Sequence, residues 1–307
     1  MITVDSLSIK YKDFCAVDNI SFSVNKCEIF GIIGSNGAGK TSTVECIEGL
    51  RKPTSGRINV MGFEPWKDRK KLQEIMGVQL QDTSYQERAK VYELCELYSS
   101  FYNNPMPYNE LLGAMGLEEK RKAYISKLSG GQKQKLAIVL SLISNPKLVF
   151  LDELTTGLDP KARRQMWDMI LKLRENGLTI VIVSHFMDEV ETLCDRIAIM
   201  SKGHIENIGT IGSIISEYDL KQKISFKAAN LDVEGFKKLG LEVTVQKEND
   251  VITLLGKADD YVNRVLTYLT ENNIAYKDLN VKKPDLEDVF LDMVGYIPED
   301  EVTHDKK

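Results

Sequence analysis

The sequence predicts an α/β fold built on a parallel sheet, followed by a smaller α+β unit. Three apolar runs are typical of buried strands, and each is followed by polar residues; the runs are residues 29–33, 147–151 and 178–183. Segments with helical spacing separate the runs, and strands that alternate with helices form parallel sheets covered by helices. Beyond Gly209 the predicted order of elements becomes β-α-β-β-α-β. The chain is therefore expected to contain a larger unit and a smaller one.

Composition limits the class of protein. The chain has 307 residues, more than one usual domain, and 43% of them are hydrophobic, which is ample for buried cores. Its 40 basic and 45 acidic residues give a formal net charge of −5, so we expect no nucleic-acid partner. The five cysteines are scattered without a CxxC pair, which favours a reducing cytoplasm over a disulfide framework or a zinc site. We expect neither a leader peptide nor a spanning helix, so any role at a membrane would be exercised from its surface.

Antiparallel strands are predicted at the start of the chain. Residues 2–10 and 20–24 alternate apolar and polar side chains, as strands with one solvated face do. Tyr11 lies between them. An aromatic residue ahead of a nucleotide loop can stack on a base, and a tyrosine in a strand–turn region can equally serve packing. Its position alone leaves both interpretations open.

A phosphate-binding loop follows the strand at 29–33. Residues 34–41, Gly-Ser-Asn-Gly-Ala-Gly-Lys-Thr, fit G-x-x-x-x-G-K-[ST] and precede a predicted helix over 42–50. Such a loop aims backbone N–H groups at phosphate oxygens, next to the positive end of the helix. Lys40 would reach the β- and γ-phosphates, and Thr41 would place a hydroxyl on Mg²⁺. The candidate nucleotide-binding residues here are Asn36, Gly37, Ala38, Gly39, Lys40, Thr41 and Ser42.

The middle of the chain contains a buried-strand candidate, a helix and a second glycine-rich element. The strand, residues 75–81, ends at Gln81, and apolar residues over 91–102 predict a helix with one broad apolar face. That face either packs on its own domain or docks a partner. Residues 128–132, Leu-Ser-Gly-Gly-Gln, open a predicted helix over 133–144. Ser129 is a favoured N-cap, so this element is either an ordinary capping turn or an anion site at a helix end.

Polar residues after the strands are expected to meet in one crevice. Asp152 and Glu153 follow the strand at 147–151, and His185 follows the one at 178–183. Ligands of parallel sheets bind outside the carboxyl ends of the strands, where Lys40 also lies. Asp152 suits Mg²⁺, Glu153 can orient or deprotonate the attacking water, and His185 can bond the γ-phosphate. Each residue alone could be a cap or a structural residue; together with the loop they predict catalysis.

The motifs of residues 1–209 resemble those of the ATP-binding subunit of ABC transporters. The phosphate loop is similar to the family's Walker A motif, residues 128–132 to its LSGGQ signature, and residues 148–152 followed by Glu153 to its Walker B strand. His185 occupies the switch position. Gln81 matches the Q-loop glutamine better than Gln79 does, because an aspartate follows it. Tyr11 matches the aromatic residue that stacks on adenine.

The resemblance implies a shared site between two ATPase subunits. Two copies, or a copy and a paralogue, would pack head to tail, with each ATP between one Walker A loop and the partner's signature. The further residues that the resemblance places at ATP are Ser129, Gly130, Gly131 and Gln132, acting in trans, and Asp159 of the D-loop. Gln81 would join Thr41 and Asp152 at Mg²⁺. Leu154 replaces the usual proline after Glu153, which loosens that turn but removes no catalytic group, so we expect hydrolysis.

Membrane subunits are the other implied partners. In the family, the segment from Gln81 through the helical part before Leu128 contacts them, and the loop at 82–88 is the predicted docking surface. The protein would then sit on the cytoplasmic face of the cell membrane. We expect the cassette at 1–215, with a helical subdomain over about 84–140.

The C-terminal part is predicted to be a separate α+β domain over 220–296. Its β-α-β-β-α-β order is that of ferredoxin-like units, with strands at 223–227, 241–247, 251–255 and 274–281 and helices at 233–239 and 259–272. A last helix is predicted over 285–294 and a disordered tail over 297–307. Residues 284–290, Pro-Asp-Leu-Glu-Asp-Val-Phe, resemble the end of ATPases that serve ABC-2 type exporters, including drug-resistance and bacteriocin-immunity systems.

The predicted function is that of an ATP-binding and ATP-hydrolysing subunit of an ABC transporter, of the ABC-2 exporter type. The alternative is a non-transport ABC ATPase associated with translation or DNA. Such proteins commonly carry two cassettes or a long coiled-coil insertion, whereas this sequence has one Walker A loop, no heptad run and an acidic balance.

Overall fold

The chain forms two units. The computed structural model describes residues 1–79, 85–86, 88–218, 220–228, 235–236, 244–248, 251–256 and 260–294. One unit spans Met1–Ile211 and the other Gly212–Lys307. Within the described residues no helix has both the length and the apolar character needed to cross a membrane.

The first unit alternates strands and helices. Its strands are β1 (Ile2–Tyr11), β2 (Phe14–Val24), β3 (Ile29–Gly34), β4 (Ser55–Val60), β5 (Met76–Gln79), β6 (Leu148–Asp152), β7 (Thr179–Ser184), β8 (Arg196–Ser201) and β9 (His204–Gly209). Its helices are α1 (Lys40–Ile47), α2 (Arg69–Gln73), α3 (Val91–Ser99), α4 (Tyr108–Ala114), α5 (Gly130–Leu142), α6 (Pro160–Glu175) and α7 (Met187–Leu193), with short 3-10 helices at Glu118–Lys120 and Ile125–Lys127. Helix α8 (Ile211–Glu217) begins at the last residue of this unit.

A six-stranded sheet forms the centre of the first unit. Its order is β5-β6-β7-β3-β8-β9, with parallel pairing from β5 to β8 and an antiparallel edge at β9. Every residue of β3 and β7 is buried, as expected for parallel strands covered on both faces. Helix α5 packs on β5 and β6, and α7 on β7. Because β3, β6 and β7 run parallel, their carboxyl ends lie on the same side of the sheet. The residues that follow these three strands are therefore close together.

An antiparallel sheet packs on one face of this central sheet. Its order is β2-β1-β4. Ile2, Val4 and Leu7 of β1 share a buried core with Phe30 and Phe150 of the central sheet. The Phe22 and Phe30 rings stack with centroids 5.6 Å apart. The predicted parallel core sheet and the antiparallel sheet are both confirmed, and Tyr11 is the last residue of β1 rather than part of a connecting turn.

The predicted helix over 91–102 is shorter in the structure. Helix α3 ends at Ser99, and Val91, Leu94 and Cys95 are its buried residues. Leu97 and Phe101 are 51% and 62% exposed. The apolar pattern therefore overestimates the packed face, because Phe101 follows the helix and lies at the surface.

The second unit contains an antiparallel sheet. Its elements are β10 (Gln222–Ala228), β11 (Thr244–Glu248), β12 (Val251–Gly256), α9 (Tyr261–Glu271), β13 (Tyr276–Lys282) and α10 (Leu286–Val294). The strand order is β11-β12-β10-β13, with antiparallel neighbours throughout. Phe226, Phe236 and Tyr261 lie in its buried core. Of the predicted helix over 233–239 only residues 235–236 are described, and the predicted tail over 297–307 lies outside the described residues.

Candidate functional site

The glycine-rich loop runs from the end of β3 to the start of α1. A Cβ on Gly34 would lie 2.2 Å from the Met200 carbonyl oxygen, so no side chain fits there. Gly39 caps α1 with φ 100°, a left-handed conformation that suits glycine. Lys40 Nζ donates hydrogen bonds to the carbonyl oxygens of Gly34 (2.6 Å) and Ser35 (2.9 Å). Close packing of the backbone thus forces the loop into its tight curl, and Lys40 closes it.

Other residues of the loop differ in accessibility. Asn36, Gly37 and Thr41 are exposed, Ser42 is half-buried and Ala38 is buried. Ser42 Oγ lies 2.9 Å from the Tyr11 hydroxyl, and the Arg51 guanidinium lies over the Tyr11 ring, 4.7 Å from its centroid. The structure therefore places Tyr11 beside the start of α1, with one ring face covered by Arg51.

Two carboxylates and an imidazole lie at the ends of β6 and β7. Asp152 and Val183 are partners in the parallel register, so the residues that follow them are neighbours. The Glu153 N–H donates to the Val183 carbonyl at 2.9 Å, and His185 Nδ1 lies 3.1 Å from Glu153 Oε1. Glu153 adopts φ 47°, which is uncommon outside glycine. This backbone turn directs the carboxylate of Glu153 toward His185.

Burial controls the charge of this cluster. Burial raises the pKa of Asp152 to about 6; Glu153 raises it further, while Lys40 and His185 oppose the shift. Burial also lowers the pKa of Lys40, and Asp152 and Glu153 oppose that change. Lys40, Asp152, Glu153 and His185 are therefore in electrostatic contact, in the single crevice that the sequence predicts.

Oxygen donors at the crevice suit a hard cation. The described residues hold no cluster of three or more histidine, cysteine or acidic side chains that would bind a metal by themselves. Mg²⁺ commonly binds one or two protein oxygens and takes its other ligands from phosphates and water. The half-buried Asp152 and the exposed Thr41 hydroxyl fit such an ion, because burial and Glu153 disfavour the negative charge of Asp152 and a cation would stabilise it.

The second glycine-rich element caps a helix. The Gln132 N–H donates to Ser129 Oγ at 3.3 Å, and the Ser129 N–H donates to Gln132 Oε1 at 3.0 Å, a reciprocal capping box at the start of α5. Ser129 and Gly130 are exposed, and Gly131 is half-buried. Asp159 caps α6 by accepting from the N–H groups of Lys161 and Ala162 at 3.0 and 2.9 Å. The capping interpretation of Ser129 is thus correct, and it leaves the helix end accessible.

Known proteins share this architecture and these motifs. The family model for ABC transporters matches residues 17–156. The linearmycin resistance ATP-binding protein LnrL of Bacillus subtilis is 30% identical over 306 residues, covering 96% of this chain and 98% of LnrL. The chain belongs to the ABC transporter family. This ABC ATPase is also 28% identical over 305 residues to the daunorubicin/doxorubicin resistance ATP-binding protein DrrA of Streptomyces peucetius, covering 96% of this chain and 92% of DrrA.

A solved structure supports the same conclusion. A dimeric ATP-binding cassette in a post-hydrolysis state, bound to ADP and Pi, has a TM-score of 0.62 and 25% identity with the ABC ATPase, covering 68% of this chain and 98% of that one. The family prediction, the cassette fold and the assignment as an ATP-binding, ATP-hydrolysing transporter subunit are confirmed.

Two residues near the crevice of the ABC ATPase received no role from the sequence: Gln79 was set aside in favour of Gln81, and Glu189 was not considered. Gln79, 4% exposed, accepts from the Asp152 N–H through Oε1 at 3.1 Å. Glu189, fully buried, accepts from the Thr155 hydroxyl. Gln79 could have been found from the sequence because it is a polar residue inside an apolar run. Glu189 could have been found because it is an acidic residue four positions after His185. Gln81, predicted at the Q-loop, and residues 82–84 and 87 of the predicted docking loop lie outside the described residues.

Proposed function

We propose that this ABC ATPase drives an ABC-2 type exporter from the cytoplasmic face of the membrane. The catalytic part of the proposal rests on the 3.1 Å contact between Glu153 and His185 at the crevice with Lys40. The transport part rests on the nearly full-length likeness to two resistance ATP-binding proteins, LnrL and DrrA. The resemblance of residues 284–290 to the end of ABC-2 exporter ATPases points the same way.

Phosphate binding is assigned to the glycine-rich loop. In the structure Lys40 Nζ donates to two neutral carbonyl oxygens of the loop. Phosphate oxygens of ATP would replace these acceptors and form stronger, charge-assisted hydrogen bonds. The neighbouring backbone N–H groups and hydroxyls complete the cradle; they belong to Asn36, Gly37, Ala38, Gly39, Thr41 and Ser42. Tyr11 contributes a ring beside the loop for the adenine base.

Mg²⁺ would be held by Thr41, Asp152 and Gln81, and it supplies charge neutralisation for the phosphates. Asp152 contributes a carboxylate whose raised pKa reflects burial near Glu153. Gln79 orients Asp152 by accepting a hydrogen bond from the backbone N–H of Asp152.

Glu153 and His185 are assigned to the hydrolytic step. Glu153 accepts the proton of the attacking water while the water oxygen bonds to the γ-phosphorus and the bond to the β–γ bridging oxygen breaks. His185 donates a hydrogen bond to the γ-phosphate. Lys40 stabilises the charge that develops on the transferred group.

The second copy of the ATPase, or a paralogue, is proposed to complete the site. Ser129, Gly130, Gly131 and Gln132 start α5, and its N-terminus is accessible at Ser129 and Gly130. A helix N-terminus favours an anion, so this end suits the phosphates of an ATP bound by the partner. Asp159 would lie at the same interface. The ADP-bound relative with this fold is a dimer.

Membrane subunits are proposed to bind a groove of about 550 Å³ on the first unit. Its lining is partly apolar and includes Met76 and Val78 of β5, Phe101, Tyr102 and Leu50. Glu48, 4% exposed, also lines it, and burial raises the pKa of its carboxyl to about 8, with Asp152 and Glu45 contributing. The groove lies between β5 and the end of α3, the elements that flank the predicted docking loop at 82–88. A partner segment with an apolar anchor and a hydrogen-bond donor for Glu48 fits it.

The smaller unit is proposed to be a ferredoxin-like accessory domain over 220–296, and the cassette is assigned to 1–215. The observed strand order places β12 between β10 and β11, and β10 between β12 and β13. Two split β-α-β units produce this order. The helical subdomain is assigned to about 84–140, which includes α3, α4 and most of α5.

Phosphate release tests the proposed function. The wild-type protein and E153Q are each assayed with the membrane partner present, and both receive ATP and Mg²⁺. We expect turnover in the wild type and a loss of at least about a hundredfold in E153Q, because a general base is removed. Equal turnover of the two proteins would refute the role of Glu153. Association with ribosomes or DNA instead of membranes would refute the transport role.

A further inference from the structure

Glu189 is a buried carboxylate that none of these roles uses. It lies on α7, four residues after His185, and has no exposed surface. Thr155 Oγ1 donates to Glu189 Oε1 at 2.7 Å, and Thr155 is also fully buried. The other carboxylate oxygen, Oε2, is buried as well, with Ser184 and Trp167 near the carboxyl. Burying a carboxyl in this way opposes folding unless other interactions compensate, so its presence calls for a role.

The surroundings of Glu189 connect two segments of the active site. Ser184, Thr155 and Trp167 face the carboxyl and favour its charged form, while burial raises its pKa. Ser184 is the last residue of β7 and precedes His185. Thr155 follows Glu153 by two residues, inside the turn that leads to α6. Glu189 therefore joins the segment that carries the imidazole to the segment that carries the catalytic carboxylate.

The turn after Glu153 is restrained by the buried side chain of Leu154, by the bond from the Glu153 N–H to the Val183 carbonyl, and by hydrogen bonds within the turn. Glu153 has φ 47°, an unfavourable conformation for a residue with a side chain. Thr156 Oγ1 reaches Glu153 Oε2 only at 3.4 Å, and the Leu158 N–H donates to the Thr155 carbonyl at 3.1 Å. The bond from Thr155 to Glu189 is the short and buried one of this set. It is thus the contact best suited to hold the turn in place.

We propose that Glu189 is a positioning residue for ATP hydrolysis. Through Thr155 it fixes the turn that sets the place of the Glu153 carboxylate relative to His185. The inference rests on the proposed role of Glu153 as the base. Because the hydrogen-bond partners of the Glu189 carboxyl are Thr155, Ser184 and Trp167 and not residues of the phosphate-binding loop, its loss should slow the chemical step and leave ATP binding unchanged.

Substitutions of Thr155 test the inference with little change in shape. T155V removes the hydroxyl that Glu189 accepts from, T155S retains it, and E189Q changes the acceptor. T192V is the matched control: Thr192 is on the same helix and its hydroxyl bonds the Asp188 carbonyl at 2.7 Å, away from the crevice. Turnover, KM for ATP and the affinity for a fluorescent ATP analogue are measured below the melting onset of every variant.

We expect T155V to lower kcat by about tenfold to a hundredfold, the range known for outer-sphere orienting partners, with nucleotide affinity within about twofold of wild type. T155S and T192V should keep wild-type kcat. E189Q combined with T155V should be no slower than the slower single variant, because T155V already removes the contact whose acceptor E189Q changes.

Three results would overturn the inference: equal kcat for T155V and T192V, a weaker nucleotide affinity in T155V that accounts for its loss, or failure of T155S to restore turnover. E153Q separates the two proposals. If E153Q keeps wild-type turnover, the role of Glu153 fails and the role of Glu189 fails with it. If E153Q is inactive and T155V matches T192V, only the role of Glu189 is refuted.

Discussion

At the scale of residues, the adjacent carboxylates of Asp152 and Glu153 lie in different surroundings. Asp152 ends β6 and is half-buried near Lys40, and burial raises its pKa to about 6. Glu153 begins the next turn and contacts His185. Catalytic sites often give two carboxyl groups different roles through their surroundings. We propose that one of this pair binds a cation and that the other accepts a proton. The arrangement makes cation binding sensitive to pH.

Acidification should weaken Mg²⁺-dependent nucleotide binding through Asp152. Its pKa of about 6 means that the protonated form grows as pH falls below 6, and a cation requires the deprotonated form. We expect the gain in ATP affinity on adding Mg²⁺ to fall by up to about tenfold per pH unit below 6. Titrations at pH 5.5 and 7.5, with and without Mg²⁺, measure it.

D152N is the control for that titration. The asparagine cannot titrate, so any pH dependence left in D152N arises from groups other than Asp152. The same Mg²⁺ dependence in D152N and wild type at both pH values would contradict the assignment of Asp152.

At the scale of elements, the turn after β6 is held by packing in place of proline. Leu154 is completely buried, and Thr155 beside it is bonded to Glu189. Proline at 154 would favour an extended conformation at the preceding residue, whereas Glu153 adopts φ 47°. The expectation that leucine loosens this turn therefore omitted its burial, which restrains the turn by a different route.

The groove between β5 and the end of α3 gives a prediction about the membrane partner. F101A should weaken binding of the membrane subunit by at least about tenfold, because a large exposed aromatic ring in a groove is a typical anchor. L97A is the matched control, since Leu97 is 51% exposed and does not line the groove. Both proteins should keep the ATPase rate of the isolated protein. A binding titration with purified membrane subunit measures the effect, and equal affinities for F101A and L97A would exclude this groove.

At the scale of the whole molecule, we propose that one chain carries two halves of a nucleotide site. The loop with Lys40 follows β3, and the signature with Ser129 starts α5. The hydrogen bonds that Ser129 and Gln132 exchange stay within the first turn of α5. A head-to-tail pair of chains would join each half to the other half of its partner.

Mixed dimers distinguish sites in trans from sites in cis. With K40A in one subunit and S129A in the other, a head-to-tail dimer keeps one unaltered site, and we expect up to about half of the wild-type rate. With both substitutions in the same subunit, each site carries one change, and turnover should fall much further. Phosphate release from differently tagged, co-purified dimers measures both rates. If the dimer with both substitutions in one subunit were the faster of the two, each chain would complete its own site.

The predictable part of the structure follows local patterns. The alternation of β1, the apolar runs of β3, β6 and β7, and the cap at Ser129 all depend on neighbours within a few residues. The predicted positions of helix ends were less accurate. Helix α3 ends at Ser99 and not at residue 102, and Phe101 lies outside the core. Apolar periodicity cannot distinguish a buried residue from an exposed residue of a binding surface.

The sequence by itself determined the phosphate loop, the polar residues after the strands and the signature, because each is a short motif whose chemistry is local. Only the tertiary structure decided which of them touch. Parallel register brings Glu153 to Val183 and His185, and burial sets the pKa of Asp152. The contact of Thr155 with Glu189 joins residues 34 positions apart. Such contacts and shifts depend on packing across the sheet, which no pattern along the chain records.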